Sequence, residues 1–319
     1  MNSRRSPADF CVNWRAYYCY MKRTIVILLS FLATAGLIQP VQGQSPSGLL
    51  YEITRKDVAK PSYIFGTIHA ICAADMIPVA GLQPYIERTD QMLMEIDMDD
   101  PVEMGSLSKT IFIPDGKTLK DYLTAEQFSK VDEMTKSLLG SPAENLKKLK
   151  PSILSVMAIA SVKSMGCTPS VYDLLLMQSA VARKKPVVGL ETVASQVNVL
   201  DSMPMDKQAK DLYELALDPQ KRIQDFRSLI GVYKMQDAEK LFQHSTSELS
   251  NDKEFQSKLL DDRNKAWIPA IESAIKEKPT FIAVGAAHLG GKVGVVNLLR
   301  SKGYTVKAIK LSPAAGGGN

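Results

Sequence analysis

The chain has 319 residues, and its 39 Lys and Arg against 34 Asp and Glu give a formal charge of +5. Five of those cations and one of those acids fall in residues 1–43, so residues 44–319 carry only +1. No dense basic stripe with interleaved aromatics is present, which argues against a nucleic-acid partner, and 276 residues can form one sizeable domain or two small ones.

Met21-Lys-Arg23, an apolar run over residues 24–37 and Val41-Gln-Gly43 read together as a signal peptide over 21–43, cut near Gly43. The expected location is therefore periplasmic or secreted. The apolar run is too short to favour a membrane span, so no stable transmembrane segment is expected in the mature chain. Residues 1–20 fit no targeting pattern and read as an upstream extension of a chain that starts at Met21. Beyond the leader the cysteines are Cys72 and Cys167. Export permits a disulfide between them, and two buried free thiols are the alternative.

Residues 49–54 read as a strand, 56–61 as a turn and 63–66 as a second strand, together an antiparallel hairpin. A helix is expected over 78–88, then a strand over 92–97 with its acids near the carboxyl end. Thr124 and Gln127 form a capping box ahead of Phe128, Val131, Met134 and Leu138 at helical spacing. Helices over 151–162 and 170–183 follow, the latter with Val171, Leu174, Leu175 and Ala182 as its core face. A strand over 187–190 precedes a long helical region, 193–262, punctuated by Pro219 and Gly231, with candidates at 205–217, 221–230 and 235–241. A helix bearing Trp267, Ile268, Ile271 and Ile275 leads to a strand over 280–284, a helix over 293–301 and a last strand over 304–309. Residues 311–319 read as a loose tail. The fold expected over 44–310 is α/β, a mixed central sheet flanked by helices, with an embedded helical subdomain.

Of three histidines, two share a frame, Gly66-Thr-Ile-His69 and Gly285-Ala-Ala-His288, each after a short apolar run that reads as a buried strand. Histidine at a strand end suits proton transfer or metal binding, against the plain alternative of a structural hydrogen bond. Glu95 lies in an apolar strand, where an unpaired carboxylate would be costly, so it should meet a metal, a histidine, an arginine or water. Asp97 projects to the same face while the strand continues, or faces solvent at its end. Glu191 follows a strand in the same way and either joins the site or pairs with Arg263. Arg263 can clamp a carboxylate or a developing anion, or serve only as an ion pair. Asn264 is expected to organise the arginine, Asp173 to support a helix, and His244 to sit at an exposed helix end. The Gly290-Gly291 loop after His288 could approach an anion through its N–H groups.

The segments Ser62-Tyr-Ile-Phe-Gly-Thr-Ile-His69, Met94-Glu-Ile-Asp97, Gly189-Leu-Glu-Thr-x-x-x-Gln196, Leu260-x-x-Arg263-Asn264-x-x-Trp267 and Phe281-x-x-Val-Gly-Ala-Ala-His-Leu-Gly-Gly291 occur in this order. Over residues 48–310 the chain resembles the TraB/GumN family, which includes the TIKI-type proteases, and more distantly erythromycin-esterase and ChaN-like haem-iron proteins. The resemblance implies a hydrolase-like site holding both histidines and a glutamate. The leading expectation is metal-dependent hydrolysis of a peptide bond, with His69, Glu95 and His288 as ligands of zinc, manganese or iron and with Glu191 and Arg263 beside them. The alternatives are a metal-independent, esterase-like hydrolase of a small ester, and a periplasmic or surface protein that binds haem, a metal or another ligand. His69, Glu95 and His288 should meet at one mouth above the carboxyl ends of the core strands.

Overall fold

The computed structural model describes residues 47–247 and 252–312, with only the backbone of 107–109. The expected signal peptide, the upstream segment 1–20 and positions 313–319 of the tail lie outside the described residues.

In chain order the strands are β1 (Leu50–Thr54), β2 (Ser62–Thr67), β3 (Ile71–Cys72), β4 (Gln91–Met94), β5 (Pro169–Ser170), β6 (Val187–Gly189), β7 (Thr280–Gly285) and β8 (Thr305–Ile309). The longer helices are α1 (Val79–Glu87), α2 (Pro101–Thr110), α3 (Ala125–Leu139), α4 (Pro151–Ile159), α5 (Tyr172–Ala182), α6 (Val193–Asp201), α7 (Met205–Leu217), α8 (Pro219–Lys234), α9 (Ala238–Ser247), α10 (Asp262–Glu277) and α11 (Val295–Ser301).

Among the described residues a six-stranded sheet has the order β6-β4-β7-β2-β1-β8. Strands β6, β4, β7 and β2 run parallel, and β1 is antiparallel to both β2 and β8. Strands β2, β4 and β7 are buried on both faces, so their side chains alternate between two cores rather than between core and water, while the edge strand β6 leaves Val188 exposed. Tyr63 and Phe65 of β2 and Phe281 of β7 join Leu82, Tyr172 and Tyr233 on one face. Ile64 and Ile282 join Trp267, Ile271 and Leu299 on the other. Between β4 and β7, helices α3, α4 and α7 enclose a separate core around Val131, Leu154 and Leu212. The architecture is the expected mixed sheet with an embedded helical subdomain.

The register Thr67↔Gly285, Met94↔Ala283 and Met94↔Gly189 aligns the ends of the four parallel strands along one edge. Whatever follows those ends emerges there, which is where open α/β sheets gather ligand-binding groups. The capping box at Thr124 is formed in both directions, and Gly140 ends α3 at φ 70°.

Several local expectations are corrected. Strand β4 stops at Met94, so Glu95 opens a turn, and Asp97 accepts from the Asp99 N–H instead of lying on a strand face. The helix expected over 151–162 ends at Ile159, because Ser161 accepts from the Ser164 N–H and starts a new short turn. The buried stripe of α5 is Tyr172, Leu176 and Ala180, while Val171, Leu174 and Ala182 are exposed. Tyr172 sets that rotation: its ring packs edge-on against Phe65 and its hydroxyl donates to the Ile77 carbonyl. The helix expected from 293 starts at Val295.

Candidate active site

The two Gly-x-x-His frames interlock. A Cβ on Gly66 would lie 2.9 Å from Cα of Ala286, so only glycine lets the tight turn Ala286–His288 sit against β2. The Gly285 N–H donates to Oε1 of Glu95 at 2.7 Å. One glycine makes room for the second histidine, and the other positions the acid at the end of the neighbouring strand.

Arg263 stands at the centre of the buried part. Just before it the chain widens into a π-helical turn, Ser257–Asp261, and the Leu259 carbonyl accepts from Nη1 at 3.0 Å. Nη1 also donates to Nε2 of His288 at 3.0 Å. Nη2 donates to Glu95 Oε2 at 2.6 Å and to Glu191 Oε1, and Nε donates to Glu191 at 3.1 Å. A guanidinium has five N–H groups, and these contacts use them all. Gln196 on α6 ties the two acids together, donating to Glu95 at 2.9 Å and to Glu191 at 3.3 Å.

The bonds of His288 fix its protonation state. Asn264 donates Nδ2 to the Val293 carbonyl at 3.0 Å, a contact only the amide nitrogen can make, so its Oδ1 faces Nδ1 of His288 at 2.6 Å. Nδ1 therefore carries the proton, and Nε2, which takes the Arg263 N–H, carries the lone pair. The ring is neutral. Burial drives the same result, pushing the His288 pKa down to about 3 against the pull of Glu95. Its ring packs on Trp267 with centroids 4.6 Å apart, and the guanidinium lies 4.7 Å from the Trp267 centroid. Burial also opposes charge on Glu95, but of its two basic neighbours, His288 and Arg263, the second, 2.6 Å away, holds the carboxyl below its ordinary range together with the Gly285 N–H. With the imidazole neutral, the guanidinium is the member of that pair that carries charge. Burial raises Glu191 more than its bonds to Arg263 lower it.

His69 has the opposite environment. Its side chain is 74% exposed, and Nδ1 lies 3.2 Å from Oδ2 of Asp173, in the first turn of α5. The other Asp173 oxygen accepts from the Thr67 hydroxyl at 3.3 Å. Asp173 raises the His69 pKa to about 9. Water around so open a ring screens the pairing. Oriented in this way, the imidazole presents Nε2 away from the carboxylate.

Beside it is a pocket of about 170 Å³. His69, Asp173, Glu95 and Gln196 are its polar lining, and Met94, Ile96, Met98 and Val171 its apolar walls. His69 and Glu95 thus line one cavity, Glu95 lies 3.8 Å from Nε2 of His288, and Glu191 and Arg263 lie immediately behind. The structure brings the five expected residues to one strand edge, with His69 in the pocket and His288 and Arg263 buried beneath it.

Among the described residues no group of three or more His, Cys, Asp and Glu is arranged to hold a metal ion. The reason is visible in the donor set. Glu95 is engaged by Gly285, Gln196 and Arg263, and the His288 lone pair by Arg263. The guanidinium already supplies the positive charge that a divalent ion would bring, so these residues do not fit a metal in this arrangement. The Gly290-Gly291 loop is likewise taken: the Gly291 N–H donates to Glu239 at 2.8 Å, and a Cβ on Gly291 would run into the Phe242 ring. Its expected anion contact is filled from within the chain. His244, near the end of α9, meets the Ser228 hydroxyl at 3.2 Å.

From sequence alone Asp173 is expected to support a helix and Gln196 carries no expected role, although it closes the segment Gly189-Leu-Glu-Thr-x-x-x-Gln196. An acid in the first turn of a helix is common enough to hide a partner 104 positions away, and Gln196 sits five residues after Glu191 on a helix that turns it back to both acids.

Sheet, insert and strand-end cluster define an α/β protein whose candidate site lies beyond the carboxyl ends of its parallel strands. Residues 49–308 match the TraB/PrgY/gumN family, and the chain belongs to that family. "Metalloprotease TIKI1" of Danio rerio is 24% identical over 302 residues, covering 77% of this chain and 60% of that protein. "Metalloprotease TIKI2" of Danio rerio is 23% identical, covering 84% and 62%, and "Metalloprotease TIKI1" of Homo sapiens is 23% identical, covering 77% and 59%. The chain spans about three-fifths of the length of these relatives. No solved structure matches it. Family and relatives place it among proteins that include named metalloproteases. Among the described residues no helix is long and apolar enough to cross a membrane.

Proposed function

We propose that this chain is an exported hydrolase that cleaves a peptide bond or a small ester, with His69 as the proton-transfer group, Asp173 as its orienting acid and Glu95 at the pocket wall. The observation that carries this reading is the His69–Asp173 pair at 3.2 Å, opening onto a pocket shared with Glu95. In the neutral ring Nδ1–H faces the carboxylate, so the lone pair is on Nε2. That nitrogen takes a proton from water as the water oxygen attacks the substrate carbonyl, and returns it to the leaving group. The imidazolium formed in between lies beside the developing oxyanion.

Arg263 works behind this surface. With its N–H groups all used by protein acceptors it holds Glu95, Glu191 and His288 in place instead of clamping substrate. The relatives are named metalloproteases, but of the three expected ligands Glu95 and His288 are engaged by Arg263 and His69 pairs with Asp173, so no step is routed through a metal. A cavity of about 170 Å³ is well below the range of drug-sized ligand sites. It suits one apolar side chain or a short acyl group, and the methionines in its walls can adapt to either.

A panel of short peptides with apolar side chains and of p-nitrophenyl acyl esters tests the reading. The wild-type chain is expected to turn over members of the panel, with a rate that rises with pH as His69 loses its proton. His69→Ala should lower that rate about 10²- to 10⁴-fold. Full turnover by the alanine variant would refute the role of His69.

A further inference from the structure

We infer that the Cys72–Cys167 disulfide is a positioning device for the proposed His69–Asp173 pair. This rests on the reading above for its catalytic consequence, but not for its geometry. Cys72 and Cys167 are bonded, with Cα atoms 5.9 Å apart. Cys72 is three residues after His69, and Cys167 is six before Asp173. Between each cysteine and its functional neighbour runs one half of a small ribbon. Strand β3 pairs with β5 in the register Ile71↔Ser170 and Cys72↔Pro169. The bridge therefore closes the far end of a clamp whose near end is the imidazole–carboxylate contact.

The two sides of the clamp are held unequally. Asp173 is on α5, anchored by buried Tyr172, Leu176 and Ala180, and it also accepts from Thr67 at the end of β2. His69 lies on the short connection between β2 and β3, with an exposed side chain. A ribbon of two residues per strand is too short to hold itself. The covalent link supplies what the ladder lacks. Ile71 is fully buried next to the bridge, so without it the connection stays tethered at a point but loses its fixed direction. The large cores on both faces of the sheet draw on many other residues, so loss of the bridge should loosen this loop and leave the fold intact. Reduction by a thiol delivers two electrons and two protons, leaving Cys72 and Cys167 as thiols and the reductant as its own disulfide.

The test is titration of the histidine ring protons by NMR in three forms of the full chain: oxidised, thiol-reduced, and Cys72→Ser/Cys167→Ser. Asp173→Asn serves as the reference for a ring that has lost its acid. With the bridge in place His69 should titrate above its ordinary value of 6.5, because Asp173 favours the charged ring. Without it, His69 should fall back to the value found in Asp173→Asn. His288, which is buried and held at about 3, reports on the fold and should remain neutral in every form. In the peptide and ester assay the bridge-free forms should lose about 10- to 100-fold in kcat, the scale of a mispositioned catalytic group. An unchanged His69 titration after bridge removal would overturn the inference. So would a His288 that begins to titrate like a free histidine, since the bridge would then support the whole fold and not this pair. If no form hydrolyses anything but His69 still responds, the catalytic reading fails while the positioning stands.

Discussion

Arg263 neutralises two buried carboxylates and fills the lone pair of a buried imidazole, and its own side chain is only 9% exposed. Replacing it with leucine would strand Glu95 and Glu191 without a counter-charge. Loss of one partner from a buried ion pair typically costs about 3–5 kcal/mol. We therefore expect Arg263→Leu to lower the unfolding free energy by about that much in urea titration, and Arg263→Lys to lower it less, because lysine keeps the charge but not the fork. A stability equal to wild type in the leucine variant would show that the cluster is not held as described. The sequence made Glu95, Glu191, Arg263 and both histidines legible because each follows an apolar strand or sits in a recognisable segment. It did not reveal that the two histidines differ. The Gly-x-x-His frame is the same in both, and the difference comes from residues distant in the chain: Asp173 raises one ring, while burial and Asn264 keep the other neutral.

The turn Ala286–His288 approaches β2 so closely that the absence of a side chain at Gly66 is a structural requirement. An alanine there would press its methyl against Ala286 backbone and against Leu289, 2.8 Å from Cδ1. Gly66→Ala is expected to cost about 1–3 kcal/mol, the usual penalty for overpacking, and to displace His288 from Asn264. Thermal unfolding together with the NMR titration of His288 measures both effects, and an unaltered midpoint with an unaltered ring would contradict the close approach. At this scale the long periodic elements were readable: α7 and the buried face of α10 match their expected residues. The end of β4, the break after α4 and the rotation of α5 were not. The last two each depend on a single side chain that competes with the local pattern, Ser161 by capping and Tyr172 by reaching the Ile77 carbonyl.

Across the whole molecule, four parallel strands deliver their following residues to one edge, and the helical insert supplies the groups that meet them. Asp173, Gln196 and Arg263 all come from helices placed between β4 and β7 or just before β7. The strand order could not be read from the chain, since β4 and β6 pair across nearly a hundred residues and the pairing partners look alike in sequence. What the order creates is an exposed imidazole with an acid behind it, set above a buried cluster already neutralised by an arginine. The claim most in need of a test is that this arrangement works without a metal held by His69, Glu95 and His288. The decisive measurement is the rate of hydrolysis of a working peptide or ester substrate, taken alongside elemental analysis, before and after exhaustive chelation and after adding back zinc, manganese or iron. We expect the rate to be unchanged in protein shown to be metal-free. A rate that vanishes with the metal and returns in proportion to its occupancy would contradict the account, and would require Arg263 to give up Glu95 and His288 to the ion.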